Sequence, residues 1–265
     1  MNSETEISEN FVNVPGGEIY VKRWKPELTT DKTPLILLHD SLGCTEMWRD
    51  FPLRLCEATG REVISYDRLG FGRSTKRNEL PSVRFVSEEG EIYLPAILKA
   101  LRIEKFALFG HSVGGAMAVV AAGTLKQNCT AIITESAQVF VEDRTRAGIS
   151  KAKTDFADPK VFGKLEKYHG EKSKWVFDAW TEVWLSEGFA SWNLKNDLPK
   201  VQCPVLAIHG DKDEYGSTKF PEVITELAGG PAQKEIIADC GHVPHREKPD
   251  MILNLVAKFF TKTKN

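Results

Sequence analysis

The sequence predicts an α/β protein: a mostly parallel, twisted sheet of about eight strands with an antiparallel start, flanked by helices and interrupted by one helical insertion. Three observations carry this. Short β-rich apolar runs alternate with helical patterns along most of the chain, as expected of parallel strands joined by crossover helices. The opening departs from that rule, because Phe11 to Val14 and Glu18 to Trp24 are joined by Pro15-Gly16-Gly17 and read as a hairpin. The alternation then lapses between Ser136 and Leu198, a helical, charged stretch with no convincing strand.

In chain order, Leu35 to His39 follows the hairpin as a buried strand, with a helix after Thr45 and a strand at Glu62 to Tyr66. A helix runs from Ser87 to Leu101 and is expected to bend at Pro95. Phe106 to Phe109 is a strand and Gly114 to Leu125 an Ala- and Val-rich helix. Further strands are expected at Ala131 to Glu135, Pro204 to Gly210 and Lys234 to Ile237, with a terminal helix from Pro249 to Lys262. The division is therefore a core of 1–135 and 199–265 carrying a 136–198 cap. That cap holds Trp175, Trp180, Trp184 and Trp192, four of the six tryptophans. They supply bulk that a small helical unit needs for its own core, and some could face an apolar ligand as the inner surface of a lid.

Composition narrows the function. At 265 residues the chain can bury a large core. Its formal net charge of −2 comes without a basic stripe, which argues against nucleic acid as a partner and leaves a small-molecule substrate. Residues 1–10 are acidic and polar, unlike a secretory leader. The longest apolar stretch, Val113 to Gly123, is too short for a membrane span. Five scattered cysteines lack metal-ligand spacing, so no metal or other cofactor is expected and a reducing cytoplasm fits. The oligomeric state, monomer or homodimer, stays open.

The chemistry begins at Gly110-His111-Ser112-Val113-Gly114. A serine on a sharp turn between strand and helix has its hydroxyl pushed clear of the backbone, and flanking glycines let neighbouring backbone approach. Ser112 is thus the candidate nucleophile, and it needs a base. In an open parallel sheet reactive groups gather beyond the carboxyl ends of strands. Two such loops carry suitable residues: Asp211, Asp213 and Glu214 after His209, and His242 after Ile237.

The order of serine, acid and histidine resembles that of the α/β-hydrolase fold enzymes, from about residue 34 to 260. The resemblance extends to Gly210-Asp211-Lys212-Asp213, which selects Asp213 as the acid, and to Gly241-His242 ahead of Pro249. It also covers Asp67 to Ser74, similar to the family's Asp-x-x-Gly-x-Gly-x-Ser loop. It implies a Ser112, Asp213, His242 triad. It further implies an oxyanion hole of the Val113 and Ser41 N–H groups, although the family's usual His-Gly-x is here His39-Asp40-Ser41. Some relatives place the acid where Glu135 stands, which otherwise reads as a pocket or cap residue. His39, His111, Glu135 and Trp184 are the pocket candidates, while His209 and His245 read as packing or loop residues and Cys240 as a small buried one.

A serine nucleophile disfavours the haloalkane dehalogenase and epoxide hydrolase branches, which need aspartate there. Gly241-His242-Val243 differs from the Gly-His-Trp of the carbon–carbon bond hydrolases, and Ser41 from the tryptophan of cofactor-free haloperoxidase-like esterases. The resemblance therefore implies a hydrolase of a carboxylic ester, lactone or thioester of a small or medium acyl group. A small-molecule receptor that keeps the triad with little turnover is the other reading.

Overall fold

The computed structural model describes residues 5–29 and 31–263. Its eight strands are β1 (Glu6–Val14), β2 (Gly17–Lys25), β3 (Asp31–Leu38), β4 (Arg61–Tyr66), β5 (Phe106–His111), β6 (Cys129–Glu135), β7 (Val205–Gly210) and β8 (Ala232–Ile237). They form one sheet in the order β1-β2-β4-β3-β5-β6-β7-β8. The β1–β2 hairpin and the β2–β4 pair are antiparallel, and every pair from β4–β3 to β7–β8 is parallel.

Strand alternation divides the sheet's side chains between two cores. Ile36, Leu38, Leu108, Ile132 and Ala207 enter one. Leu35, Leu37, Ala107, Phe109, Ile133 and Leu206 enter the other. The first face is covered by α2 (Phe85–Glu88), α3 (Leu94–Leu101), α4 (Val113–Leu125) and α8 (Lys219–Leu227). The second packs on α1 (Phe51–Thr59) and α10 (Pro249–Thr263). Both faces being buried is why the central strands read as continuous apolar runs.

The hairpin extends further than expected, to Glu6, because β1 is an edge strand whose residues 6–11 are all exposed and so carry no burial pattern. The helix expected after Thr45 is a 3₁₀ turn at Thr45–Trp48 followed by α1. The bend expected at Pro95 is a π-helical segment, Glu89–Tyr93, between α2 and α3. There Gly90 lies against helix α4, where a Cβ would sit 2.7 Å from the Ala121 nitrogen. The same segment buries Glu89, which accepts a 2.6 Å hydrogen bond from Tyr66 Oη.

The connection from β6 to β7 carries α5 (Asp143–Asp155), α6 (Pro159–His169) and α7 (Ser173–Leu185), and contributes no strand to the sheet among the described residues. A small cluster of Phe71, Leu165 and Val176 packs it onto the loop after β4. A short α9 (Pro244–Glu247) lies between β8 and α10. Among the described residues no helix is long and apolar enough to cross a membrane.

Candidate active site

Ser112 joins β5 to α4 with φ 56° and ψ −126°, a left-handed conformation that strains any side-chain-bearing residue. The turn is held on both sides. Ser112 N–H donates to the Glu135 carbonyl at 2.8 Å, and Gly115 N–H to the Ser112 carbonyl at 2.9 Å. Only glycine fits beside it: a Cβ at Gly110 would lie 2.2 Å from the Gly114 carbonyl oxygen, and one at Gly114 2.1 Å from that of Leu38.

Asp213 is buried in the loop after β7 and His242 follows β8. His242 Nδ1 lies 2.8 and 2.9 Å from the two Asp213 carboxylate oxygens. Asp213 Oδ1 also accepts the N–H groups of Tyr215, at 2.8 Å, and Gly216, at 3.2 Å. Burial alone would raise the Asp213 pKa, but the charges and bonds of His242 and His209 outweigh it and hold the carboxyl below its ordinary range. Asp211 instead faces the Cys240 N–H.

Ser112 and His242 line one cavity of about 190 Å³. The hydrogen bond of Ser112 Oγ among the described residues runs to Gln138, whose carboxamide oxygen and nitrogen both stand at 3.3 Å. Leu42, Met47, Ile149, Trp180, Trp184 and Val243 make the apolar wall, with Ser41, Thr145 and Tyr215 as polar points. Trp180 and Trp184 therefore face the cavity. Trp192 stacks on Phe189 at 5.1 Å and Trp175 packs against Phe71, so these two serve the packing of the helical segment.

Of the residues expected in the pocket, His111 and Trp184 line it, whereas His39 and Glu135 do not. His39 turns away because its Nε2 accepts the Arg68 N–H at 3.1 Å and its Nδ1–H donates to the Asp40 carbonyl at 2.8 Å. Glu135 lies fully buried beneath the site, taken up by His245 Nδ1 at 2.5 Å. Ser41 lines the cavity; Val113 is buried at the first position of α4, where helical N–H groups have no intrahelical partner. Asp40, the departure from glycine, is not among the residues with positive φ, so it carries no left-handed strain. Its Oδ1 accepts the Leu42 N–H at 2.8 Å. The Cys240 thiol is buried, and burial with nearby Glu247 and Glu135 pushes it up to about 12, which makes it a poor thiolate.

His111, Glu135 and His245 place one possible ligand atom each within 4.8 Å of one another. Within this group, His245 Nδ1 and one Glu135 oxygen are joined at 2.5 Å.

Sequence reasoning missed Gln138 and Tyr215, whose ring packs 4.9 Å from that of His242. Tyr215 lies two residues beyond Asp213, a legible signal; Gln138 had only its nearness to the end of β6.

A family model described as the alpha/beta hydrolase fold matches residues 33–168. The chain belongs to the alpha/beta hydrolase fold family. Among relatives of this hydrolase-fold chain, a proline iminopeptidase of Lactobacillus crispatus (strain ST1) is 23% identical over 268 residues, spanning 87% of this chain and 90% of that protein. Among solved structures, a membrane phospholipase A described as a bacterial virulence factor superposes with a TM-score of 0.77 at 20% identity, covering 98% of this chain and 87% of that one. A serine hydrolase of carbazole degradation superposes at 0.75 with 22% identity, over 97% of this chain and 99% of that one. At these identities the structural likeness speaks to the fold.

Proposed function

We propose that this alpha/beta hydrolase fold chain is a serine hydrolase that cleaves a carboxylic ester, lactone or thioester of a small to medium acyl group through an acyl-enzyme on Ser112. The observation that carries this reading is the double contact of Asp213 with His242 Nδ1, beside a cavity that both His242 and the strained Ser112 line. Asp213 fixes the tautomer that leaves Nε2 free to take the serine proton, and stabilises the imidazolium that results. His242 then returns the proton to the leaving group, and water attacks the acyl-enzyme by the same route. The Val113 and Ser41 N–H groups are the proposed donors to the oxyanion. Gln138 holds the hydroxyl in the resting state and releases it when His242 engages.

The cavity supports a small acyl group, since its 190 Å³ slightly exceeds the ~150 Å³ apolar cavity that holds benzene. The segment 136–198 serves as its lid, with Thr145, Ile149, Trp180 and Trp184 as the inner face.

The iminopeptidase name of the sequence relatives favours a second reading, a peptidase. A cationic amine or imine in the substrate calls for an unspent carboxylate. Asp40 is the carboxylate lining this cavity, and it is committed to the Leu42 N–H and the His111 ring. That favours an ester over an aminoacyl amide.

The test is intact-mass analysis after a small fluorophosphonate, on wild type and the Ser112→Ala, Asp213→Ala and Glu135→Ala variants, followed by aryl esters against proline aryl amides. Single labelling that vanishes in Ser112→Ala and slows about 10⁴-fold in Asp213→Ala is expected, with esters turned over in preference to amides. Preferred amide turnover gives the peptidase reading. An unlabelled wild type leaves the receptor reading.

A further inference from the structure

His111 precedes Ser112, and its ring meets two loops at once. Its Nε2 lies 2.8 Å from the His242 carbonyl oxygen; a carbonyl only accepts, so Nε2 carries a proton and donates. Its Nδ1 faces Asp40 Oδ2 at 3.4 Å, an ion-pair separation. An imidazole with a bare lone pair there would oppose the carboxylate, whereas a second proton turns repulsion into attraction. The ring is buried, with its side chain 2% exposed.

The charged and titratable groups around it fit this. Asp40 comes from the loop after β3, Glu135 from the neighbouring strand (His111 pairs with Glu135 in register), His242 from the loop after β8 and His245 from α9. Arg68 reaches the Asp40 carbonyl at 2.7 Å. Burial would raise the Glu135 pKa, but the facing His245 and His111 rings outweigh it and hold the carboxyl below its ordinary range. A fully buried carboxylate, Glu135, and a partly exposed one, Asp40, thus lie beside one imidazole, and a buried anion needs a compensating charge.

We propose that His111 is a positioning residue, a buried imidazolium that fastens the Asp40–Ser41 loop to the loop carrying His242 and so sets the oxyanion donor and the general base in register with Ser112. This rests on the serine hydrolase reading above. It also accounts for Asp40 in place of the family's glycine: the aspartate supplies the counter-charge. Burial opposes the charge on His111, but Asp40 and Glu135 outweigh it and raise its pKa above the ordinary value. The fastening is therefore complete below that raised pKa and released as pH rises through it.

Asp40→Asn keeps an oxygen for the Leu42 N–H and removes the charge. The expected result is a fluorophosphonate labelling rate of Ser112 about 10²-fold lower at neutral pH, the cost of misplacing reacting groups by about 1 Å. What remains should lose its alkaline limb at a lower pH than wild type does, with partial recovery in Asp40→Glu. In parallel, ¹⁵N NMR of the wild-type ring, with His111 assigned from the resonances lost in His111→Asn or shifted in Asp40→Asn, should show both nitrogens protonated at pH 7. A neutral single tautomer at pH 7 overturns the proposal. So does an Asp40→Asn protein that labels at the wild-type rate with the wild-type pH profile. If wild type is not labelled at all, the hydrolase reading fails while the NMR arm still decides the charge state of His111.

Discussion

Gly114 shows how much of the site is decided one residue at a time. It lies where α4 crosses the end of β3, and a methyl group there would meet the Leu38 carbonyl oxygen at 2.1 Å, with the His39 carbonyl oxygen at 2.8 Å. Both obstacles are backbone, so neither can rotate away. Gly114→Ala is expected to push the helix start off β3, with two readouts: a stability loss of about 3 kcal/mol, in the overpacking range, and a lowered labelling rate of Ser112. A variant as stable and reactive as wild type would mean that the helix start is not pinned. This constraint was legible in the sequence, because glycines around a serine announce a close backbone approach. Gln138 was not. Its contact with Ser112 Oγ depends on the chain leaving β6 so as to return over Ser112, with Ser136 at φ 50°, and no local pattern encodes that. The same holds for His245, whose partnership with Glu135 spans 110 positions.

At the scale of elements, the loop from Asp67 to Ser74 is where the helical segment meets the sheet. Gly72 N–H donates to His169 Nδ1 at 2.9 Å, and His169 Nε2–H donates to the Leu42 carbonyl at 2.9 Å. Lys172 Nζ donates to the Ser74 carbonyl at 2.6 Å, and a Cβ at Gly70 would run into the Trp175 ring at 2.3 Å. One histidine thus ties the end of α6 to the loop after β4 and to the loop beside Ser41. His169→Ala leaves a buried N–H and a partly buried carbonyl unpaired, a cost of about 2 kcal/mol. The expected outcome is a lower urea midpoint with an unchanged slope and a slower Ser112 labelling rate; an unaltered midpoint would show that the junction relaxes freely. The glycine-rich loop itself was legible as a structural crossing. The element docked on it was not, because the segment after β6 reads as charged helix with no marked face, and His169 sits at the end of α6 with no neighbouring motif.

For the whole molecule, the mostly parallel sheet and its antiparallel start were legible, since alternating apolar runs survive in one dimension, whereas the order of the strands within the sheet was not. The ionisation of the interior was not, and it has a consequence for stability. His39 and His169 each accept a backbone N–H on one ring nitrogen and donate from the other, so both must be neutral. Burial, the largest cause in each case, holds His39, His169, His209 and His245 below the ordinary histidine value. A folded-state pKa below the unfolded one gives stability that is present above about 6.5 and lost as pH falls toward the folded value. Each such group contributes up to about 1.4 kcal/mol per pH unit in that window, so four together set an upper slope of about 5 kcal/mol per unit. His111 runs the other way: its raised pKa gives stability that is full below about 6.5 and is lost on the alkaline side. It therefore adds nothing to the acid slope. Urea midpoints at pH 7.5 and 5.5 should fall steeply on acidification, well above the range where carboxylates titrate, and His169→Ala should flatten the slope by one group's share. A midpoint that holds constant between those pH values would mean that the buried rings accept protons in the native state, and with them a rearranged set of loops around Ser112.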